Sequence, residues 1–263
     1  MLVSHGSSVD PDSYEPLLRC ARRLAGRTGW GEVAVGFLKQ SPTLEEAWEA
    51  TEGADRIVVP LLASAGYFAQ TILPRRLGLE GVSFGAVQEH RGQRVIYTEP
   101  VGTDPGMDEL VLEAARGLRA AAGRADVGDG GESTLLIIGH GTPRHRASGQ
   151  SVRDCAARLR DRGEFSAVRF GFVDEEPSIA SALSDCPRGE VFAVPYFICD
   201  GPHVLEDIPD GLGIEGDLFE VQHHRGRHRI FYAHALGGSQ AIDDLVMRRA
   251  DRARKVLARG ISG

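Results

Sequence analysis

Two histidines, His140 and His203, each follow a short apolar run, and three acids, Asp174, Glu175 and Glu176, follow a third run between them. TLLIIG (134–139) leads to His140, AVRFGFV (167–173) to the acids, and VFAVPYFI (191–198) to the loop with His203. Apolar runs of this length, bounded by Gly and Pro, read as buried strands. In open parallel sheets ligands collect at the carboxyl ends of strands, so two imidazoles and a choice of carboxylates would meet along one sheet edge. Imidazole with carboxylate is a donor set for a divalent first-row metal, and imidazole also exchanges protons near neutral pH. Each residue has a plainer reading as well. A His-Gly pair after a strand is often only a turn, and Glu175 and Glu176 also suit the first turn of a helix.

The elements that must position these residues are written twice. At a constant offset of 135 residues, His5-Gly6 maps onto His140-Gly141, Cys20-Ala21 onto Cys155-Ala156, and Arg23-Leu24 onto Arg158-Leu159. Pro42, Pro60 and Pro74 fall on Pro177, Pro195 and Pro209, which makes internal duplication the economical explanation. Each copy alternates apolar runs with helical patterns. In the second these are SVRDCAARLRDR (151–162), PSIASALSD (177–185), a short broken helix around Pro209, the strand RIFYA (229–233) and a long helix over 239–259. The pattern predicts an α/β fold of two tandem, doubly wound, flavodoxin-like lobes, each with a mainly parallel four-stranded sheet flanked by helices. The expected boundaries are 1–123 for the first lobe, 124–133 for a Gly- and Asp-rich linker, and 134–263 for the second.

The copies differ where the chemistry lies. Phe68 stands at the position of His203, and Lys39-Gln40-Ser41 replaces Asp174-Glu175-Glu176. A lysine brings positive charge where a cation site needs negative, so the first lobe reads as a degenerate copy. Seven of the nine histidines lie in the second half, in keeping with an asymmetric site.

Composition narrows the remainder. A net charge of −7 argues against a general nucleic-acid binder and leaves anionic ligands to local basic patches. No apolar run approaches a membrane span, and no charged leader precedes Met1-Leu2-Val3, so a cytoplasmic protein without a membrane partner is expected. Cys20, Cys155, Cys186 and Cys199 form no CxxC pair and read as reduced thiols, with no iron-sulfur or zinc motif. The HGSS and HGT loops carry neither P-loop nor dinucleotide glycine spacing, so no nucleotide cofactor is expected.

Three elements together carry a resemblance: strand-HG[ST] at 134–142, strand-acid-Pro at 170–177, and FICDGPHVLEDIP at 197–209. They resemble the class II chelatases of tetrapyrrole biosynthesis, the sirohydrochlorin chelatase or CbiX-like family. The match runs through 134–237 and, more loosely, 1–102. The resemblance implies two small α/β lobes facing a cleft and insertion of Co2+ or Fe2+, in some members Ni2+, into a modified tetrapyrrole without ATP, in cobalamin or siroheme synthesis. It implies His140 and His203 as metal-binding and proton-accepting residues, with one of Asp174, Glu175 and Glu176 assisting. Glu206 and Asp207 are then expected to orient His203, and Gly141, Thr142, Arg144 and Arg146 to face a substrate rich in carboxylates. The run HHRGRHR (223–229) is a second basic candidate, and Arg75 and Arg76 a third. The fused form is expected to act as a monomer or weak homo-oligomer. A metal or tetrapyrrole carrier without catalysis, and a phosphate-ligand module built on HGSS and HGT, are the competing readings.

Overall fold

The computed structural model describes residues 1–27, 31–79, 81, 83–123, 133–219 and 222–259. In chain order the first copy contains β1 (Leu2–Ser4), α1 (Glu15–Ala25), β2 (Val35–Phe37), α2 (Leu44–Glu49), β3 (Asp55–Pro60), α3 (Leu73–Leu77), β4 (Val87–His90), β5 (Gln93–Tyr97) and α4 (Met107–Ala121). The second contains β6 (Ser133–Gly139), α5 (Gln150–Arg162), β7 (Ala167–Phe172), α6 (Ile179–Ser184), β8 (Gly189–Pro195), α7 (Ile208–Leu212), β9 (His223–Arg225), β10 (His228–Tyr232) and α8 (Ala241–Arg259).

The sheets run β2-β1-β3-β5-β4 and β7-β6-β8-β10-β9. Four strands of each are parallel, and β4 and β9 pair antiparallel at the edge. Each sheet therefore has five strands where the sequence predicted four. The added strands are polar and half exposed, so they lack the apolar run that announces the others. In the first sheet a two-residue turn with positive φ at both Arg91 (51°) and Gly92 (74°) matches the twist of a tight hairpin and closes β4 onto β5.

β6 is buried on both faces along its whole length, as a central parallel strand must be. Leu136 and Ile138 pack with Ile179, Leu183, Ile208 and Leu212 of α6 and α7, while Leu135 and Ile137 turn to the other face. On α5 the buried residues Val152, Cys155, Ala156 and Leu159 follow the helical repeat. All four cysteines are free and buried, as expected.

The compact units do not follow the boundaries expected from the repeat. One unit is Met1–Asp104 with Ser239–Gly263, and the other is Pro105–Gly238. α4 packs on β8 and α5 of the second sheet, whereas α8 packs on β3 and α1 of the first. Each exchanged helix is fixed by the same buried carboxylate. Asp108 takes two hydrogen bonds from Arg158 (2.6 and 2.8 Å), and Asp243 takes two from Arg23 (2.6 and 2.7 Å). A sequence offset reveals equivalent helices but is silent about which sheet each covers, because α1 and α5 offer the same arginine. Of the expected linker, 124–132 lies outside the described residues, and Ser133 already opens β6.

Candidate metal and substrate site

His140 directly follows β6. The pairing of β6 with β7 continues past the strands, with Val173 N–H donating to Gly139 O (3.1 Å) and Asp174 N–H to His140 O (2.9 Å). Gly141 then turns with φ +67°, and a Cβ there would lie 2.7 Å from Glu175 Cβ and 2.9 Å from Phe172 Cβ. Only glycine lets the chain bend this closely across the end of β7. The bend brings Gly141 O onto the imidazole it follows, at 2.6 Å from His140 Nδ1. A carbonyl only accepts, so Nδ1 carries a proton, and in the neutral imidazole Nε2 keeps its lone pair.

His203 opens a wide helical turn, His203–Asp207, in which Ile208 N–H reaches back five residues to His203 O. Pro209 has no N–H to continue an ordinary helical ladder there. The buried Tyr232 hydroxyl donates to Val204 O (2.7 Å) and pins the turn to β10. Burial raises that phenol's pKa, so it stays protonated and able to donate. Four residues after His203, Asp207 Oδ2 sits 2.5 Å from His203 Nδ1, which again fixes the proton on Nδ1.

β6 and β8 are adjacent strands on either side of the point where strand order reverses, the usual ligand crevice of such sheets. The His140 and His203 rings meet edge to face there, 4.4 Å between centroids with planes at 83°. Their side chains are 41% and 42% exposed, and among the described residues neither Nε2 has a hydrogen-bond partner. Two imidazoles are thus held in contact, each anchored through Nδ1.

The three acids separate. Asp174 is the one beside a site imidazole, with Oδ2 3.7 Å from His140 Nδ1 and the carboxylate largely exposed. Glu175 turns away: Oε2 accepts from Thr142 N–H (3.1 Å) and Oε1 pairs with Arg153 (2.6 Å). Glu176 accepts from Ser178 N–H (2.9 Å) at the start of α6. Glu206 is exposed on the His203 turn, and no contact is described between it and that ring. Arg144 is exposed two residues beyond Thr142, whose Oγ1 accepts its N–H (3.3 Å). Arg146 opens a short 3-10 turn, and its side chain lies outside the described residues. Among the described residues, no group of three or more His, Cys, Asp or Glu is gathered to hold a metal ion.

The run HHRGRHR is not at this edge. His228 pairs with Gly189, the first residue of β8, and Arg225 pairs with His228, so the hairpin lies at the amino ends of the parallel strands. Arg227 is spent on the carbonyls of Ser184 and Cys186, and His228 is buried. In the first unit, Arg75 and Arg76 are exposed on α3, and Arg76 lies 3.3 Å from Glu45.

The sequence reading passed over Asp200 and His234. His234 Nδ1 donates to Asp200 Oδ2 (2.8 Å), Asp200 Oδ1 accepts from Ala235 N–H (2.7 Å), and Phe219 stacks on the imidazole at 3.6 Å between centroids. The signal was present in the repeat, where Ala65 and Glu99 occupy these positions in the first copy.

The CbiX family model matches this sequence twice, over residues 1–118 and 134–253. The chain belongs to the CbiX family. A probable sirohydrochlorin cobaltochelatase of Halobacterium salinarum is 30% identical over 266 residues, taking in 95% of this chain and 89% of that protein. A sirohydrochlorin cobaltochelatase of Saccharolobus islandicus is 31% identical over 123 residues, 44% of this chain and 92% of its own length. That relative is about one lobe long. Among solved structures, a multi-domain protein of Deinococcus radiodurans, described as similar to chelatases with two additional domains, aligns with a TM-score of 0.75 and 27% identity over 96% of this chain. This chain spans about half of that protein, 55% of its length. SirB from Bacillus subtilis, solved with Fe3+, shares the fold at a TM-score of 0.72 and 16% identity, over 96% of this chain and 93% of its own.

Proposed function

We propose that this CbiX-family chain is a chelatase that inserts a divalent metal, Co2+ or Fe2+, into a sirohydrochlorin-type tetrapyrrole. The observation that carries the reading is the pair of imidazoles at one strand-edge crevice, both anchored through Nδ1 and both offering Nε2. Insertion exchanges one M2+ for two pyrrole N–H protons, so it needs no oxidant, reductant or nucleotide. His140 and His203 would hold the ion through Nε2 as it sheds water. As the macrocycle nitrogens take the ion, each freed lone pair accepts one proton. Asp174 beside His140 and Asp207 beside His203 each place a carboxylate next to one of these imidazoles.

Two nitrogens that among the described residues have no closed donor set around them suit an ion that must be passed on, which favours a chelatase over a metal carrier. In this reading Glu175, which accepts from the Thr142 N–H and pairs with Arg153, braces the HGT loop. With two lobes in one chain, a cytoplasmic monomer or weak homo-oligomer is the expected form. Absorbance spectroscopy with sirohydrochlorin and Co2+ or Fe2+ tests the proposal. Insertion well above the spontaneous rate is expected, and a rate equal to the spontaneous one with either metal removes the chelatase reading.

A further inference from the structure

The pair Asp200–His234 belongs to neither the metal-holding imidazoles nor the fold's common frame. Asp200 lies on the loop that carries β8 to His203, and His234 follows β10, the strand beside β8. Leu236 N–H donates to Phe197 O (2.9 Å), and the Phe197 ring lies 6.1 Å from that of His203. The pair therefore sits on the same carboxyl edge of the sheet as the proposed metal site.

Its geometry is fixed from two sides. Asp200 is held by the Ala235 N–H, and His234 by Asp200 and by the face of Phe219 at an interplanar angle of 20°. The side chain is nevertheless 63% exposed, and its Nε2 has no hydrogen-bond partner among the described residues. The first unit shows that the fold does not require this arrangement. There Ala65 and Glu99 stand at the two positions, and Glu99 is turned to Arg249 of α8. A rigid, oriented ring with one nitrogen left open to solvent, in the copy that keeps the paired imidazoles, is built to meet something.

We propose that His234, aligned by Asp200 and Phe219, binds a peripheral carboxylate of the tetrapyrrole substrate through its Nε2–H. This rests on the chelatase reading for the identity of the substrate. The Asp200 hydrogen bond raises the imidazole's pKa, which keeps a proton on both ring nitrogens over a wider pH range. Imidazolium between two carboxylates, one from the protein and one from the ligand, makes a charge-assisted hydrogen bond to each. The role is substrate positioning: no bond is made or broken at His234.

The test is equilibrium binding of metal-free sirohydrochlorin by the full chain, followed by steady-state kinetics with Co2+. In His234→Ala the dissociation constant and KM should both rise about tenfold, with kcat within about twofold and Co2+ affinity in the absence of macrocycle unchanged. His234→Gln, which keeps a neutral N–H, should recover part of the loss, and Asp200→Asn should show an intermediate loss with an unchanged thermal midpoint. Unchanged dissociation constant and KM, a fall in kcat alone, or weakened Co2+ binding would each overturn the assignment. The binding arm reads His234 even where no insertion is seen, so failure of catalysis removes the chelatase reading alone. A wild-type chain that binds no sirohydrochlorin overturns both.

Discussion

His5 and Phe68 in the first unit, and His140 and His203 in the second, meet in the same way: edge to face, 4.6 Å and 4.4 Å between centroids, at 88° and 83°. The supporting parts repeat as well. His5 Nδ1 lies 2.9 Å from Gly6 O, Lys39 N–H donates to His5 O as Asp174 N–H does to His140 O, and Tyr97 pins the Phe68 turn through Ala69 O as Tyr232 pins the His203 turn. The scaffold thus brings two rings together whether or not they can bind an ion. Ring proximity belongs to the fold, and the chemistry is decided by what the second ring is and what charge stands nearby. In the first unit that is an exposed phenyl, next to the exposed Tyr67, with Lys39 where Asp174 stands in the other.

The largest expected effect breaks this contrast directly. His203→Ala removes one of the two imidazoles proposed to accept protons and should lower the insertion rate by about 10²–10⁴-fold. Phe68→Ala, at the equivalent place, should lower it by less than about threefold. Sirohydrochlorin and Co2+ turnover by absorbance measures both, and comparable losses in the two variants would mean that the units share the metal chemistry.

A second comparison concerns the exchanged helices, where the units should behave alike. Arg158→Ala leaves the Asp108 carboxylate buried and unpaired, and Arg23→Ala does the same to Asp243. Each should cost about 3 kcal/mol of stability, the scale for stranding a buried charge. Urea unfolding followed by circular dichroism would show it. A large loss in one variant with none in the other would make the exchange structurally one-sided.

Much of this was legible in the sequence because strand and helix periods repeat at a constant offset. The apolar runs before His140, the acids and His203 are strands, and the loops after them do gather at one edge. What escaped the sequence depends on tertiary choice. β9 is short and polar, so nothing marks HHR (223–225) as a strand until β10 is there to pair with it. The same absence of an apolar run let HHRGRHR pass for a basic loop, when sheet direction puts it at the wrong end. The exchange of α4 and α8 cannot be read from sequence, since Arg23 and Arg158 suit Asp108 and Asp243 equally. The three acids are adjacent in the chain, and only the path of the HGT loop separates the one beside His140 from the two spent on backbone and Arg153.

Rebuilding the first unit sharpens the contrast from the other direction. Phe68→His alone supplies a second imidazole, but Lys39 remains and Ile72 stands where Asp207 orients His203. The triple variant Phe68→His, Lys39→Asp, Ile72→Asp should bind an additional equivalent of Co2+ by calorimetry. Phe68→His alone should bind it at least about tenfold more weakly, the usual scale for losing an orienting partner. No additional equivalent in the triple variant would show that the two units differ in more than these side chains.

The smallest effect is expected at Glu175, where the first unit already contains the control. Gln40 occupies that position, and its Oε1 accepts the Ser7 N–H at 2.7 Å, as Glu175 Oε2 accepts the Thr142 N–H. An amide therefore holds the HG loop as well as a carboxylate does. What Gln40 lacks is the partner: Arg153 has Leu18 at its place in the first copy. The charge on Glu175 is thus matched by the charge on Arg153. Glu175→Gln should keep the loop hydrogen bond and change the insertion rate by less than about threefold, since the amide oxygen still accepts the Thr142 N–H. Asp174→Asn, which removes the charge next to His140, should cost more. If Glu175→Gln instead matched His203→Ala in its loss, Glu175 would have to leave Arg153 during the reaction and act on the metal or its protons, and the loop-bracing role drawn from Gln40 would fall.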